Sequence, residues 1–337
     1  AGPPQVFLGP LGGETSEASF SGGAHSPDAT APVSRHPVLR LAVRLLVSVV
    51  LLGLIAWAVD GAALLRRLAS ADFYWFALAV GLGILANIVS AWRWLVIARH
   101  LGLVASAGTL LPAYGRGVAL NTVLPGATLG GDAYRAVILQ KLGNPLLKSA
   151  ASVALDRLSG LWALCVIAWL AWLALAVVPQ PGLAPATLYA HLVGIALAVG
   201  TPFAARALGT RLNLPPQRLP ARLLRLLSET ARLAQLTFVS SAIVQIATIA
   251  ALWAALHAVT PDVSVLYLTA IAAPVFIVTA LPVSVGGYGT REAAMATYWL
   301  LAGLPADIAV AGALLHGLAV TLQGALWAPL FLLNHRE

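Results

Sequence analysis

Two stretches decide how this chain folds. The first is Leu124-Pro125-Gly126-Ala127-Thr128-Leu129-Gly130-Gly131-Asp132-Ala133-Tyr134-Arg135, and the second is Leu281-Pro282-Val283-Ser284-Val285-Gly286-Gly287-Tyr288-Gly289-Thr290-Arg291-Glu292. Each reads Leu-Pro, a short linker, Gly-Gly, three residues and then Arg, with linkers that differ by one residue and prolines 157 positions apart. Proline removes a backbone donor and clashes with the preceding turn, so it breaks a helix. Paired glycines open turns that other residues cannot take. Each stretch lies in the middle of an apolar region, roughly 105–142 and 264–303. Each therefore predicts a helix that stops, turns and starts again, and the pair predicts an internal repeat.

Outward from these breaks the chain is apolar almost throughout. Of 337 residues, 60% are hydrophobic and 9% charged, against about half and a quarter in soluble domains. That excludes a soluble enzyme, a coiled coil and a disordered scaffold. The apolar runs are continuous rather than alternating, which excludes an outer-membrane barrel. The fold class expected is an all-α polytopic membrane protein. Full spans are predicted at roughly 39–59, 74–98, 147–178, 185–206, 234–258 and 307–333, each close to the ~20 residues that cross the hydrocarbon core. Residues 1–34 are rich in Gly, Pro, Ser, Ala and Thr and lack apolar periodicity. They predict a disordered polar tail and not a signal peptide, leaving 35–337 as the membrane domain.

The formal net charge is +8, and in a membrane protein it orients the helices rather than pointing to nucleic acid. Arg35, Arg40 and Arg44 precede the first span, Arg206 to Arg232 fall between the fourth and fifth, and His335 and Arg336 close the chain. Basic residues favour the cytoplasmic side, so both termini are expected there, in the plasma membrane. Arg66 and Arg67 fall outside and run against the rule. By the same topology the region 105–142 begins and ends inside, and 264–303 begins and ends outside. The expectation is two opposed re-entrant hairpins forming an inverted repeat, an arrangement common in transporters. Within the Arg-rich loop, Arg218, Arg222, Arg225, Glu229 and Arg232 recur at helical spacing. They predict an amphipathic helix at 214–233 on the cytoplasmic leaflet, either a topology anchor or an anionic-lipid contact.

The candidate site follows from the motif. A helix start presents free N–H groups and a positive dipole end, which suit an anion. Arg135 and Arg291 add guanidiniums that can fork onto phosphate. Gly130, Gly131, Gly286 and Gly287 form the turns, Tyr288 flanks the second, and Asn121 is placed to satisfy broken backbone. Asp132 is either a helix cap or a coupling group. Asp156 and Arg157 lie inside the third full span, where a charge costs at least ~2.5 kcal/mol. They are adjacent and face apart, so partners are expected elsewhere: Asp156 with Arg135 or Arg291, and Arg157 with Asp132 or Glu292. Three carboxylates and three arginines predict a site that is neutral when empty. Arg93, between Trp92 and Trp94, is read as an interfacial snorkelling residue. Gln245, His257, His316 and Gln323 are isolated and read as interhelical or interfacial groups. No metal-ligand spacing, cofactor motif or nucleotide-binding loop is present, and Cys165 is a packing residue.

The segments Asn121 to Gly126, Gly130 to Arg135, Ala151 to Arg157 and Gly286 to Glu292 together resemble the lysylphosphatidylglycerol synthase transmembrane family, also called flippase-like. The resemblance spans roughly 40–333. It implies a membrane protein that moves anionic lipids or lipid-linked intermediates between leaflets. In the multiple peptide resistance factor such a membrane part is fused to a soluble aminoacyl-lipid synthase domain. This chain stops soon after its last span, so aminoacyl transfer by it alone is not expected. Partners implied are an anionic phospholipid or polyprenyl-phosphate-type lipid and a separate synthase or glycosyltransferase, with room for a homo-oligomer. The alternative expectation is a membrane-embedded transferase, or its accessory subunit, with Asp132, Asp156 or Glu292 supplying acid–base chemistry.

Overall fold

The computed structural model describes residues 37–58, 60–123, 129–178, 184–212, 219–281 and 283–332. The predicted tail, residues 124–128 of the first motif, Pro282, Arg218 and the C-terminal His335 and Arg336 lie outside the described residues. Among the described residues the chain is helical with no strand. Eleven α-helices follow in order: α1 Pro37–Ala58, α2 Gly61–Ala69, α3 Phe73–His100, α4 Ala107–Val123, α5 Leu129–Lys141, α6 Leu146–Val177, α7 Pro185–Arg211, α8 Leu219–His257, α9 Val265–Ala280, α10 Thr290–Leu301 and α11 Ala306–Trp327, with a 3-10 turn at Ala328–Phe331.

Among the described residues five segments are long and apolar enough to cross a membrane: Phe73–His100, Leu146–Val177, Pro185–Gly209, Leu236–His257 and Ala306–Phe331. They match five of the six expected spans. The sixth, at 39–59, coincides with α1, but its described apolar part is the shorter Leu45–Ile55, and it does not join the five. The Arg-rich segment is not a separate surface helix. From Leu219 it runs without a break into the fifth span as one 39-residue helix.

The bundle is built on α3, which packs along α8, while α8 also packs on α6 and α7. The largest core cluster joins α6, α8, α9, α10 and α11 through buried residues such as Trp172, Leu252, Leu268, Ile271, Met295 and Trp299. Cys165 sits in it as a small buried side chain. A second cluster joins α3, α4, α5 and α6 around Trp94, Leu95, Leu110 and Leu139.

The two interrupted regions are helix pairs, and their feet lie at opposite ends of α3. At the C-terminal end of α3, Asn144 ties the loops around the first pair together: its Oδ1 accepts from Val104 N (2.8 Å), and its Nδ2 donates to the carbonyls of Val104 (2.9 Å) and Leu139 (2.8 Å). At the N-terminal end, Asp72 N donates to Ala258 O at the end of α8 (2.9 Å). There too Arg67 of α2 pairs with Asp307 of α11 (2.7 Å). That places the loops before α9 and after α10 at this end. With 17 and 13 residues in the first pair and 16 and 12 in the second, each of these helices is about 18–26 Å long, short of the ~30 Å hydrocarbon core.

Candidate functional site

The local chemistry of the two apices differs more than their sequences do. In the second, Gly286, Gly287 and Gly289 all take positive φ (59°, 78° and 87°), a region costly for L side chains, and α10 starts immediately afterwards at Thr290. In the first, α5 starts at Leu129, so Gly130 and Gly131 lie inside its first turn. What Gly131 supplies is close approach. A Cβ there would strike the carbonyl of Gly117 on α4. The repeat is therefore one of sequence, with a turn in one copy and a helix crossing in the other.

Each helix start has one of its donors taken by the protein. Asn121 Oδ1 accepts from Gly131 N (2.7 Å), the backbone-satisfying role its position predicts. Glu292 Oε2 accepts from Gly289 N (2.6 Å), so the carboxylate of α10's first turn caps its own helix. Glu292 Oε1 also meets Arg291 Nε (3.3 Å). Glu292 is thus not the partner of Arg157.

The remaining charges form one connected network. Asp156, 1% exposed, accepts from Arg135 Nη2 at 2.7 Å through Oδ2 and from Arg93 Nε at 2.9 Å through Oδ1. Asp132 accepts a two-pronged fork from Arg157, Nε to Oδ2 and Nη2 to Oδ1, both 2.9 Å. It also lies 3.5 Å from Arg135 Nη1. Arg135 is clamped between the rings of Trp94 (4.2 Å) and Tyr114 (4.4 Å), where a guanidinium is attracted to the negative ring faces. Two of the expected pairings, Asp156 with Arg135 and Arg157 with Asp132, are present.

Arg93 corrects the sequence reading. It is buried, not interfacial. Besides Asp156 it donates to Ser241 Oγ on α8 (3.3 Å), and it lies close against Gly160 of α6, where a Cβ would sit 3.0 Å from its Nη1. Three guanidiniums and two carboxylates make this network, and the Arg291–Glu292 pair is neutral. The set carries one net positive charge rather than none.

These groups converge on one cavity of about 310 Å³. From the first repeat its wall holds Asn121, Asp132 and Arg135, and α6 adds Arg157. From the second it holds Gly286, Gly287, Tyr288 and Arg291. α11 adds His316 and Thr321, and Tyr288 Oη lies 2.9 Å from Thr321 Oγ1. Asp156 and Glu292 stand behind the wall as counter-charges, and Gly130 and Gly131 shape α5 rather than line the cavity. Tyr134 packs near Phe331 instead, with ring centroids 6.1 Å apart.

Arg291 lies against α11 at Gly317, where a Cβ would collide with its guanidinium. Arg291 Nη2 and His316 Nδ1 are buried without a hydrogen-bond partner. His316, Asn87 and Tyr114 were not picked out as site residues from the sequence. His316 is isolated in its helix, and only the packing of α11 beside α10 brings it to Arg291. Gln245, by contrast, makes the interhelical bond expected of it, donating to Gly160 O (3.0 Å).

A second cavity of about 300 Å³ adjoins the first and shares Asn87 and Tyr114 with it. Ile88, Ala91, Leu111, Pro112, Gly115, Trp327 and Leu330 complete an almost wholly apolar wall.

Fold and site together define a polytopic α-helical membrane protein with an arginine-rich cavity between its helices. The chain belongs to the lysylphosphatidylglycerol synthase TM region family, whose family model matches residues 41–327. No curated protein matches it. Membership assigns the chain to membrane lipid biology, as the sequence motifs implied.

Proposed function

We propose that the chain carries an anionic lipid, or a lipid-linked phosphate intermediate, between membrane leaflets. The observation that carries this reading is the convergence of both repeats on one cavity with net positive charge. Burying an uncompensated charge is costly, and a phosphate-type head group would supply the missing negative charge. The adjoining apolar cavity suits the start of an acyl or prenyl chain. In this reading the helix pairs α4–α5 and α9–α10 are re-entrant hairpins, one from each side. Broken backbone at membrane depth is tolerated where it lines such a cavity. The basic ends of α7 and α8 face the cytoplasm, following the positive-inside rule.

The transferase alternative needs a carboxylate available for proton transfer. Asp132, Asp156 and Glu292 are each engaged by arginine or backbone donors, which favours positioning and charge balance over acid–base work.

The test is leaflet exchange of fluorescent phosphatidylglycerol in liposomes containing the purified chain. Arg135→Ala is a poor probe, because Arg135 holds buried Asp156. Arg157→Gln is better, and Arg291→Gln, which unpairs buried Glu292, is read together with its own unfolding temperature. Arg157 is 43% exposed, and Gln keeps a donor at both positions. Each variant is expected to slow exchange about tenfold or more, the loss of one charge-assisted hydrogen bond of ~1.5–3 kcal/mol, while the unfolding temperature of Arg157→Gln stays within a few degrees of wild type. Exchange at the wild-type rate in both would overturn the proposal.

A further inference from the structure

The ends of α7 and α8 enclose a second polar cavity, of about 380 Å³, remote in sequence from both motifs. Arg206 reaches it from α7, and Arg225 and Arg232 reach it from α8. Spacing explains the convergence on the α8 side: positions 225, 229 and 232 fall on one face of a helix. Among the described residues Glu229 is the one carboxylate in the wall, and Arg232 Nη1 binds its Oε1 at 3.1 Å. Three guanidiniums against one carboxylate leave a strong positive excess in a concave site. Gly209 of α7 is also in the wall, with open space where a Cβ would stand.

The position of the cavity selects among anions. Its α8 wall ends at Arg232, one turn before the membrane-spanning part of α8 begins at Leu236. Leu212 and Leu224 stand in its wall, and Leu212 is 43% exposed. A basic pocket between helices at head-group level, with apolar side chains in its wall, suits a phosphate on a lipid rather than one free in water.

We propose that this cavity is a separate binding site for the phosphate head group of an anionic membrane lipid, held by Arg206, Arg225 and Arg232. It does not depend on transport through the central cavity. Arg222 gives the control. It lies on the same basic helix and is exposed, but it is not in the cavity wall. Diffuse attraction of a basic segment to an anionic surface would count Arg222 equally with Arg225.

The test is native mass spectrometry of the full chain in neutral detergent, titrated with phosphatidylglycerol, with phosphatidylcholine, or with inorganic phosphate. It is run in both wild-type and Arg291→Gln backgrounds, so that loss of the central site is visible separately. Expected is a phosphatidylglycerol-binding event that survives Arg291→Gln. Arg225→Ala/Arg232→Ala should weaken it about tenfold or more, and Arg222→Ala should leave it within about twofold. Arg225→Lys/Arg232→Lys should also weaken it, because lysine keeps the charge but not the planar fork. Equal weakening by Arg222→Ala, full retention in Arg225→Ala/Arg232→Ala, or inorganic phosphate binding as tightly as the lipid would each overturn the proposal.

Discussion

Asp156 is the residue on which the site's charges turn. Its carboxylate touches both Arg93 and Arg135, and all three side chains are almost wholly buried. Removing one partner of a buried ion pair leaves an uncompensated charge and costs about 3–5 kcal/mol. Asp156→Asn is therefore expected to lower the unfolding temperature in detergent markedly. Arg157→Gln, which breaks a half-exposed pair, should cost no more than about 1 kcal/mol. Equal stability of Asp156→Asn and wild type would contradict the network. The sequence made part of this legible. Charges are so rare in the spans that Asp156 and Arg157 could be matched to partners by elimination. Arg93 escaped because two tryptophans beside it, near a helix end, imitate an interfacial belt. The signal that could have found it is helical phase: Ala86, Ser90, Ile97 and Trp94 share its buried face of α3. Once Arg93 is counted, the site is no longer neutral.

At the scale of the elements, the helix breaks were legible and their geometry was not. Pro and Gly-Gly marked where α4 gives way to α5 and α9 to α10, because those residues act on the backbone locally. Whether Gly-Gly makes a turn or a helix crossing depends on what packs against it. Thr279 lies beneath Gly287, and Gly117 beneath Gly131, and neither contact is visible in a linear motif. The same holds for the Arg-rich segment: its amphipathic spacing was plain, but its continuity with the fifth span was not, since nothing in it stops a helix. The opposed feet of the helix pairs yield a direct expectation. Lys141 and Asp262 are exposed at opposite ends of the bundle, and Cys165 is buried. In intact cells a membrane-impermeant thiol reagent should label Asp262→Cys, and should reach Lys141→Cys only after permeabilisation. Labelling of both from one side would refute opposed hairpins.

For the whole molecule, the decisive fact is that sequence segments 157 positions apart meet around one cavity. The shared motif placed Arg135 and Arg291 in one site, and the carboxylates of α5, α6 and α10 were the candidate partners of its arginines. The sequence did not predict that α11 would bring His316 to the same wall, nor that an apolar cavity would open beside it at Asn87 and Tyr114. Those features arise from the packing of α11 against α3, α4 and α10, which no local pattern encodes. The expected net neutrality and the separate surface helix gave way to the packed arrangement. The helical membrane class and five of the spans did not.

The central claim is that both repeats hold the same anionic head group. Photo-crosslinking tests it most directly: a phosphatidylglycerol analogue with a photoreactive group on its head is irradiated with the chain in liposomes, and the adducts are mapped by peptide mass spectrometry. The account predicts adducts on the peptides carrying Asp132 and Arg135 and also on those carrying Tyr288 and Arg291, with both sets lost together in Arg291→Gln. Adducts confined to one repeat, or found only between Arg206 and Arg232, would contradict it.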